Sequence, residues 1–221
     1  MRASAAAASP EKPEPHSVGF NLLVIAMLVA LAATGVAYVL DAASRAARDS
    51  RAGTVSRTLG GTELAIPAGW LREDVDRTEG FARQVRLAVS LPLGPQGAAR
   101  DVDITLMPRS QVRPSSSLLD GVYLHQFTPE QASGPAGLVG KPLLGKDGFA
   151  GETVWYDPLS PAPFVAKCAA PLAEGRQGRC LRTLHLGPGM AAIYGFDADV
   201  LGNWSQFDAL MHPVLERIGA H

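Results

Sequence analysis

Cys168 and Cys180 are the only thiols in the 221-residue chain, and their setting points to one kind of chemistry. Between them runs Ala169-Ala-Pro-Leu-Ala-Glu-Gly-Arg-Gln-Gly-Arg179, rich in turn formers. The flanks, Phe164 to Cys168 and Cys180 to Leu186, alternate in polarity as strands do. A hairpin would set the two cysteines opposite each other at its base. That geometry suits a disulfide, whose Cα atoms sit about 4.4–6.8 Å apart. Disulfides persist in oxidising compartments such as the bacterial periplasm. The competing reading is two buried free thiols, since cysteine is among the most buried residue types. A nucleophilic Cys168 would need a base in reach, and the sequence places none there.

Other constellations are weaker. Gly140-Lys-Pro-Leu-Leu-Gly145-Lys146-Asp147 approaches the phosphate-binding pattern but ends on Asp147, where a hydroxyl should hold magnesium. Pro142 also removes an amide from the would-be cradle, so a turn between strands is the expectation. Asp208, His212 and Glu216 fall at i, i+4 and i+8 of one helix, on the flank of its apolar face. A metal would need a further ligand from elsewhere, so we expect a solvated polar flank. Asp101 with Asp103, and Asp197 with Asp199, lack the glycine and glutamate spacing of a calcium loop. His125 and His185 read as hydrogen-bonded structural residues. Trp70, Trp155 and Trp204 could line a groove, although aromatic residues more often fill a core. The sequon Asn203-Trp-Ser205 lies on a helix expected to bury Trp204. No catalytic, cofactor-binding or metal residue is assigned, and no cofactor is expected.

The elements that must position these residues follow a simple order. Residues 1–17 are rich in Ala, Ser, Pro and Glu and read as a disordered tail. Residues 18–40 carry no charge and would span roughly 34 Å as a helix, against about 30 Å of hydrocarbon. We expect a transmembrane anchor in contact with the bilayer rather than a cleaved signal peptide, whose apolar run is shorter. Arg45, Arg48, Arg51 and Arg57 follow the span, whereas only Arg2 and Lys12 precede it. The positive-inside rule therefore points the following domain toward the cytoplasm. The cysteine pair points it the other way, to the periplasmic side of an inner membrane, and that is the orientation expected here. Gly19, Ala26, Ala30, Ala33 and Ala37 make a small-residue stripe that would permit helix packing.

Residues 41–58 read as a helix extension and then a linker. One α+β domain follows over 59–221. Strands are expected at Thr62–Ile66, Phe81–Leu91 and Asp101–Met107, and near 138–144, 151–157, 163–169, 179–186 and 190–196. A short helix is expected over Ser115–Phe127 and a long closing helix over about Asp199–Ile218, capped by Asp197 or Asp199. Trp204, Phe207, Met211, Val214, Leu215 and Ile218 share its apolar face, and Pro213 should kink or split it. Hairpin-linked strands with few helices give an antiparallel sheet. Lys and Arg number 20 against 21 Asp and Glu. A net charge of -1 argues against nucleic acid as a partner.

The stretch Thr62-Glu-Leu-Ala-Ile-Pro-Ala-Gly-Trp70 resembles the opening of PsbP-like and DcrB-type domains, a strand followed by Ile-Pro-x-Gly-Trp. The resemblance implies an antiparallel sheet layered between helices, attachment to an envelope membrane in several members, and a role in binding or assembly. No site residue of that family maps onto this chain. The expectation is therefore an uncharacterised, single-pass bacterial envelope protein whose domain binds a protein partner or small ligand. The alternative is a membrane-tethered hydrolase.

Overall fold

The computed structural model describes residues 18–49, 53–72, 78–146, 148–171, 177–187 and 189–220. The expected tail over 1–17 lies outside them. The chain divides into two units, residues 1–50 and 51–221.

The first unit is one α-helix, α1 (Val18–Asp49). Within it, Leu22–Leu40 is long and apolar enough to cross a membrane. Leu22, Ile25, Leu28, Val36 and Tyr38 are all exposed. Thr34 turns back on its own helix and donates to the Ala30 carbonyl at 2.6 Å. Its polar group is thereby satisfied without leaving the helix surface.

The second unit holds two sheets. A small one has the order β2-β1-β3, formed by β1 (Thr54–Leu59), β2 (Thr62–Pro67) and β3 (Gly80–Ala82). A seven-stranded one is built from β4 (Val85–Leu91), β5 (Arg100–Pro108), β6 (Val139–Pro142), β7 (Glu152–Tyr156), β8 (Val165–Ala169), β9 (Arg179–His185) and β10 (Met190–Asp197). Its order is β4-β5-β10-β9-β8-β7-β6, and every neighbouring pair is antiparallel. The α+β class is as the sequence implies.

Alternation decides which face is which. Val85, Leu87, Val89, Val102, Ile104 and Leu106 are all buried on one face, as their period of two predicts. Helix α3 (Trp204–Ile218) covers that face with Phe207, Met211, Leu215 and Ile218, which recur at helical spacing. The small sheet adds Val55, Leu59, Leu64 and Ile66 to the same core. Helix α2 (Ser115–Gly121) packs on the opposite face. There Leu119 and Tyr123 meet Leu143, Val154 and Val165 in a second, smaller core. The domain is therefore layered helix, sheet, helix.

Several expectations need correction. The helix extension read after residue 40 runs to Asp49, and the linker read after it is shorter than expected, because Thr54–Leu59 is a strand. Arg57 disguised that strand, since its charge sits at an inward position. Its guanidinium is buried and donates to the Thr78 carbonyl. The single strand read over Phe81–Leu91 is two, β3 and β4, belonging to different sheets. The β1–β3 pairing is parallel, so the small sheet is mixed. The short helix read over Ser115–Phe127 is one α-helical stretch ending at Gly121, then a 3-10 turn over Tyr123–Gln126.

The closing helix starts later than expected, because Ala198–Asn203 is a 3-10 segment. Neither Asp197 nor Asp199 caps α3 with its side chain. Their carboxylates pair with arginines instead, Asp197 with Arg179 at 3.0 Å and Asp199 with Arg100 at 2.7 Å. Pro213 lies inside a helix that continues to Ile218 rather than splitting there. Pro213 and Ala209 are both exposed, so the carbonyl that loses its partner faces solvent. Gly219, at φ 79°, ends the helix in the left-handed conformation glycine adopts without strain.

Two other glycines are fixed by close approach. The loop between α2 and β6, and β6 itself, cross the Trp155 ring. A Cβ at Gly134 or Gly140 would lie 2.0 or 2.4 Å from the ring's Cζ3. Trp204 anchors the same loop by donating from Nε1 to the Ala136 carbonyl at 3.1 Å. Gly140→Ala should therefore destabilise the domain by about 1–3 kcal/mol through overpacking. Gly53→Ala, where nothing lies within 4 Å, should change little. Denaturant midpoints of the two variants measure the difference.

Candidate functional site

Cys168 and Cys180 face each other in register across β8 and β9, joined by a disulfide with Cα atoms 3.9 Å apart. The hairpin reading is correct. Neither cysteine is free, and both side chains lie in the larger core.

The bond sits at a seam. β8 and β9 share three register pairs, Lys167 with Leu181, Cys168 with Cys180 and Ala169 with Arg179. Every other ladder of this sheet has between four and seven. Past Lys167 and Leu181 the strands part, although both continue, to Val165 and His185. The segment leading into α2 serves the open end of β9. Ser115, buried at the start of α2, accepts the Thr183 N–H through its Oγ at 2.8 Å. Two residues on, the His185 ring donates from Nε2 to the Val112 carbonyl at 3.0 Å. The Thr183 backbone N–H, which a partner strand would otherwise satisfy, is met this way.

Arg182 lies where the strands part, on the core side, and is only 3% exposed. Alternation places it inward with Cys180, two residues before it. Its guanidinium carbon stands 4.2 Å from the Phe164 ring centroid and 5.6 Å from that of Phe207. Nη2 donates to Asp208 Oδ2 of α3 at 2.8 Å. Nε and Nη1 have no hydrogen-bond partner among the described residues, and neither has the buried hydroxyl of Tyr194. Tyr194 is the register partner of Arg182 on β10. Burial raises the Tyr194 phenol well above its ordinary range; the Arg182 cation partly offsets this, and the Asp208 carboxylate adds to it. The phenol stays protonated at neutral pH.

This cluster joins α3 to the sheet by charge as well as by apolar contact. Asp208 remains 60% exposed at its side chain, so solvent weakens its hold on the cation. Asp208→Ala should cost about 1–2 kcal/mol, because it strands a buried charge. The double replacement Arg182→Met with Asp208→Ala should recover most of that loss, since an apolar side chain of similar length needs no counter-ion. A double-mutant cycle on denaturant midpoints reads this directly.

The structure disperses the other sequence candidates. Asp208 is engaged by Arg182, and His212 and Glu216 are exposed farther along α3. Among the described residues, no group of three or more His, Cys, Asp or Glu is arranged to hold a metal ion. Asp103 takes Arg72 at 2.6 Å and also pairs with Arg179. With Arg179 to Asp197, this makes a cross-strand row of half-exposed ion pairs, each worth little in water. Gly140 and Lys141 belong to β6, and the Lys141 ammonium donates to the Pro129 and Glu130 carbonyls. Asp147 lies outside the described residues. His125 is exposed on the 3-10 turn after α2, while His185 is hydrogen-bonded as read from the sequence. Trp70, Trp155 and Trp204 all pack against the larger core. The Asn203 side-chain amide donates to the Leu93 and Gly94 carbonyls, so the sequon's nitrogen is committed to the fold.

Sequence reasoning missed Arg182, Tyr194 and the parting of β8 from β9. One signal was available. Arg182 occupies an inward position of an alternating strand, two residues from Cys180 on the same face.

No protein-family model, curated protein or solved structure matches the chain.

Proposed function

We propose that this is a single-pass bacterial envelope protein. In this reading α1 anchors it in the inner membrane, and the second unit is a periplasmic domain that binds a protein partner or small ligand in assembly or stabilisation. The observation that carries the reading is the Cys168–Cys180 disulfide in the same chain as an apolar helix of membrane-spanning length. A disulfide endures where thiols are kept oxidised, and a helix such as Leu22–Leu40 satisfies its own backbone in lipid. Translocation of long domains is governed less by flanking charge than that of short loops. The arginines after the span therefore weigh less than the cysteines.

The layering of α2 and α3 on opposite faces of an antiparallel sheet supports kinship with PsbP-like and DcrB-type domains, beside the Ile66-Pro67-Ala68-Gly69-Trp70 motif. That kinship favours binding over catalysis. The test is cross-linking in intact cells followed by purification of the full chain with its anchor. A discrete envelope complex, lost when the domain's surface is altered and kept when the span becomes a plain Leu-rich helix, is the expected result. A chain that stays uncross-linked and hydrolyses an envelope substrate would replace this reading with the tethered hydrolase.

A further inference from the structure

We propose that Arg182 and Tyr194 form a buried receptor for one small monovalent anion, of chloride size, held between the large sheet and α3.

β9 and β10 bring two buried polar side chains together. Arg182 and Tyr194 are register partners on these strands. Both stand against the same Phe207 ring of α3, the guanidinium carbon at 5.6 Å and the phenol ring centroid at 5.4 Å. Phe164 covers the cation from another side, at 4.2 Å. Arg182 is 3% exposed and Tyr194 is not exposed at all. Nε and Nη1 of Arg182 and the Tyr194 hydroxyl are buried, and none has a hydrogen-bond partner among the described residues. Three such donors in one place call for an acceptor, because an unpaired buried donor carries its full desolvation penalty.

The surroundings decide what kind of acceptor. The guanidinium keeps its charge at every pH a protein meets. Its carboxylate partner, Asp208, touches it from one oxygen and is 60% exposed at its side chain. Water therefore screens the carboxylate while the cation stays in the interior, and the pair leaves positive charge on the buried side. Donors also outnumber acceptors there: two guanidinium nitrogens and a hydroxyl against one carboxylate. A water molecule would add two more donors. An anion accepts from every side and supplies the missing charge. Three donors around one point suit a monatomic ion, and a single unbalanced cation suits a monovalent one. Asp208 marks the solvent side, so the ion would enter beside it, between α3 and β9.

Urea unfolding of the full chain in detergent tests this, with sodium chloride exchanged for sodium gluconate at constant ionic strength. A ligand held by the folded form alone raises the folded-to-unfolded ratio by one plus its concentration over its dissociation constant. Once chloride exceeds that constant, each tenfold rise should raise the ratio about tenfold. Tyr194→Phe keeps the ring and removes one donor, so about tenfold more chloride should be needed for the same gain. Arg182→Met with Asp208→Ala removes the cation and its counter-ion together and should show no chloride dependence. Crystals grown in bromide should give one anomalous peak within hydrogen-bond reach of Arg182 Nε and Tyr194 Oη. A parent protein indifferent to the exchange of chloride for gluconate would overturn the proposal. So would a dependence that the double variant keeps, or a water at that position in the bromide crystals.

Discussion

Phe207→Ala should lower the stability of the domain by about 3–5 kcal/mol, the range for truncating a fully buried phenylalanine. The reason lies in what meets its ring. Phe207 has no exposed surface. Its centroid is 5.1 Å from Phe196, 5.4 Å from Tyr194 and 6.0 Å from Phe164, in tilted or edge-on arrangements that aromatic rings favour. Those three rings come from β10 and from the entry to β8, so one helix side chain spans both sides of the β8–β9 seam. The Arg182 guanidinium also lies over the ring. Truncation would leave a cavity beside a buried cation, which puts the cost toward the upper end of the range. Gln206→Ala, one residue earlier on the exposed side, should stay within about 0.5 kcal/mol. Equilibrium urea denaturation of both variants, compared at constant slope, gives the two numbers.

Replacing both cysteines by alanine should cost about 3 kcal/mol. The bond closes a loop with a sequence separation of 12 residues, and cross-linking a loop of that size removes conformational freedom from the unfolded chain. For a domain of this length, the loss corresponds to a fall in melting temperature of about 6–12 °C. Each single Cys→Ala replacement should cost about as much as the pair, because either one abolishes the bond. The same lowering should follow from adding a reductant to the unaltered protein, and from adding none to the variants. A double variant as stable as the parent would mean that packing around Val165, Ala166 and Leu184 fixes the seam by itself.

Much of this fold is legible in the sequence because two periods are clean. Val85, Leu87 and Val89, with Val102, Ile104 and Leu106, alternate without interruption and mark β4 and β5. Phe207, Met211, Leu215 and Ile218 recur at the helical period and mark the closing helix. The disulfide is legible because turn formers lie between two alternating flanks. Where reading failed, a charged or capping residue served tertiary structure rather than local structure. Arg57 made β1 look like linker, yet its guanidinium is buried against the Thr78 carbonyl. Asp197 and Asp199 looked like helix caps, yet arginines from β9 and β5 claim them. Phe81 looked continuous with Leu91, and no local rule says that Ala82 and Val85 belong to different sheets. The candidate site shows the same division. Its cysteines are a local pattern, whereas Arg182, Tyr194 and Asp208 meet only because β9, β10 and α3 are assembled.

The proposed envelope role requires the domain to lie where the Cys168–Cys180 disulfide endures. The most direct test is the oxidation state of Cys168 and Cys180 in intact cells. Cells are quenched in acid, and free thiols are tagged with a mass-adding maleimide before or after reduction. The account predicts no tag before reduction and two tags after it. Two tags taken up without reduction would place the domain in a reducing compartment and contradict the envelope reading.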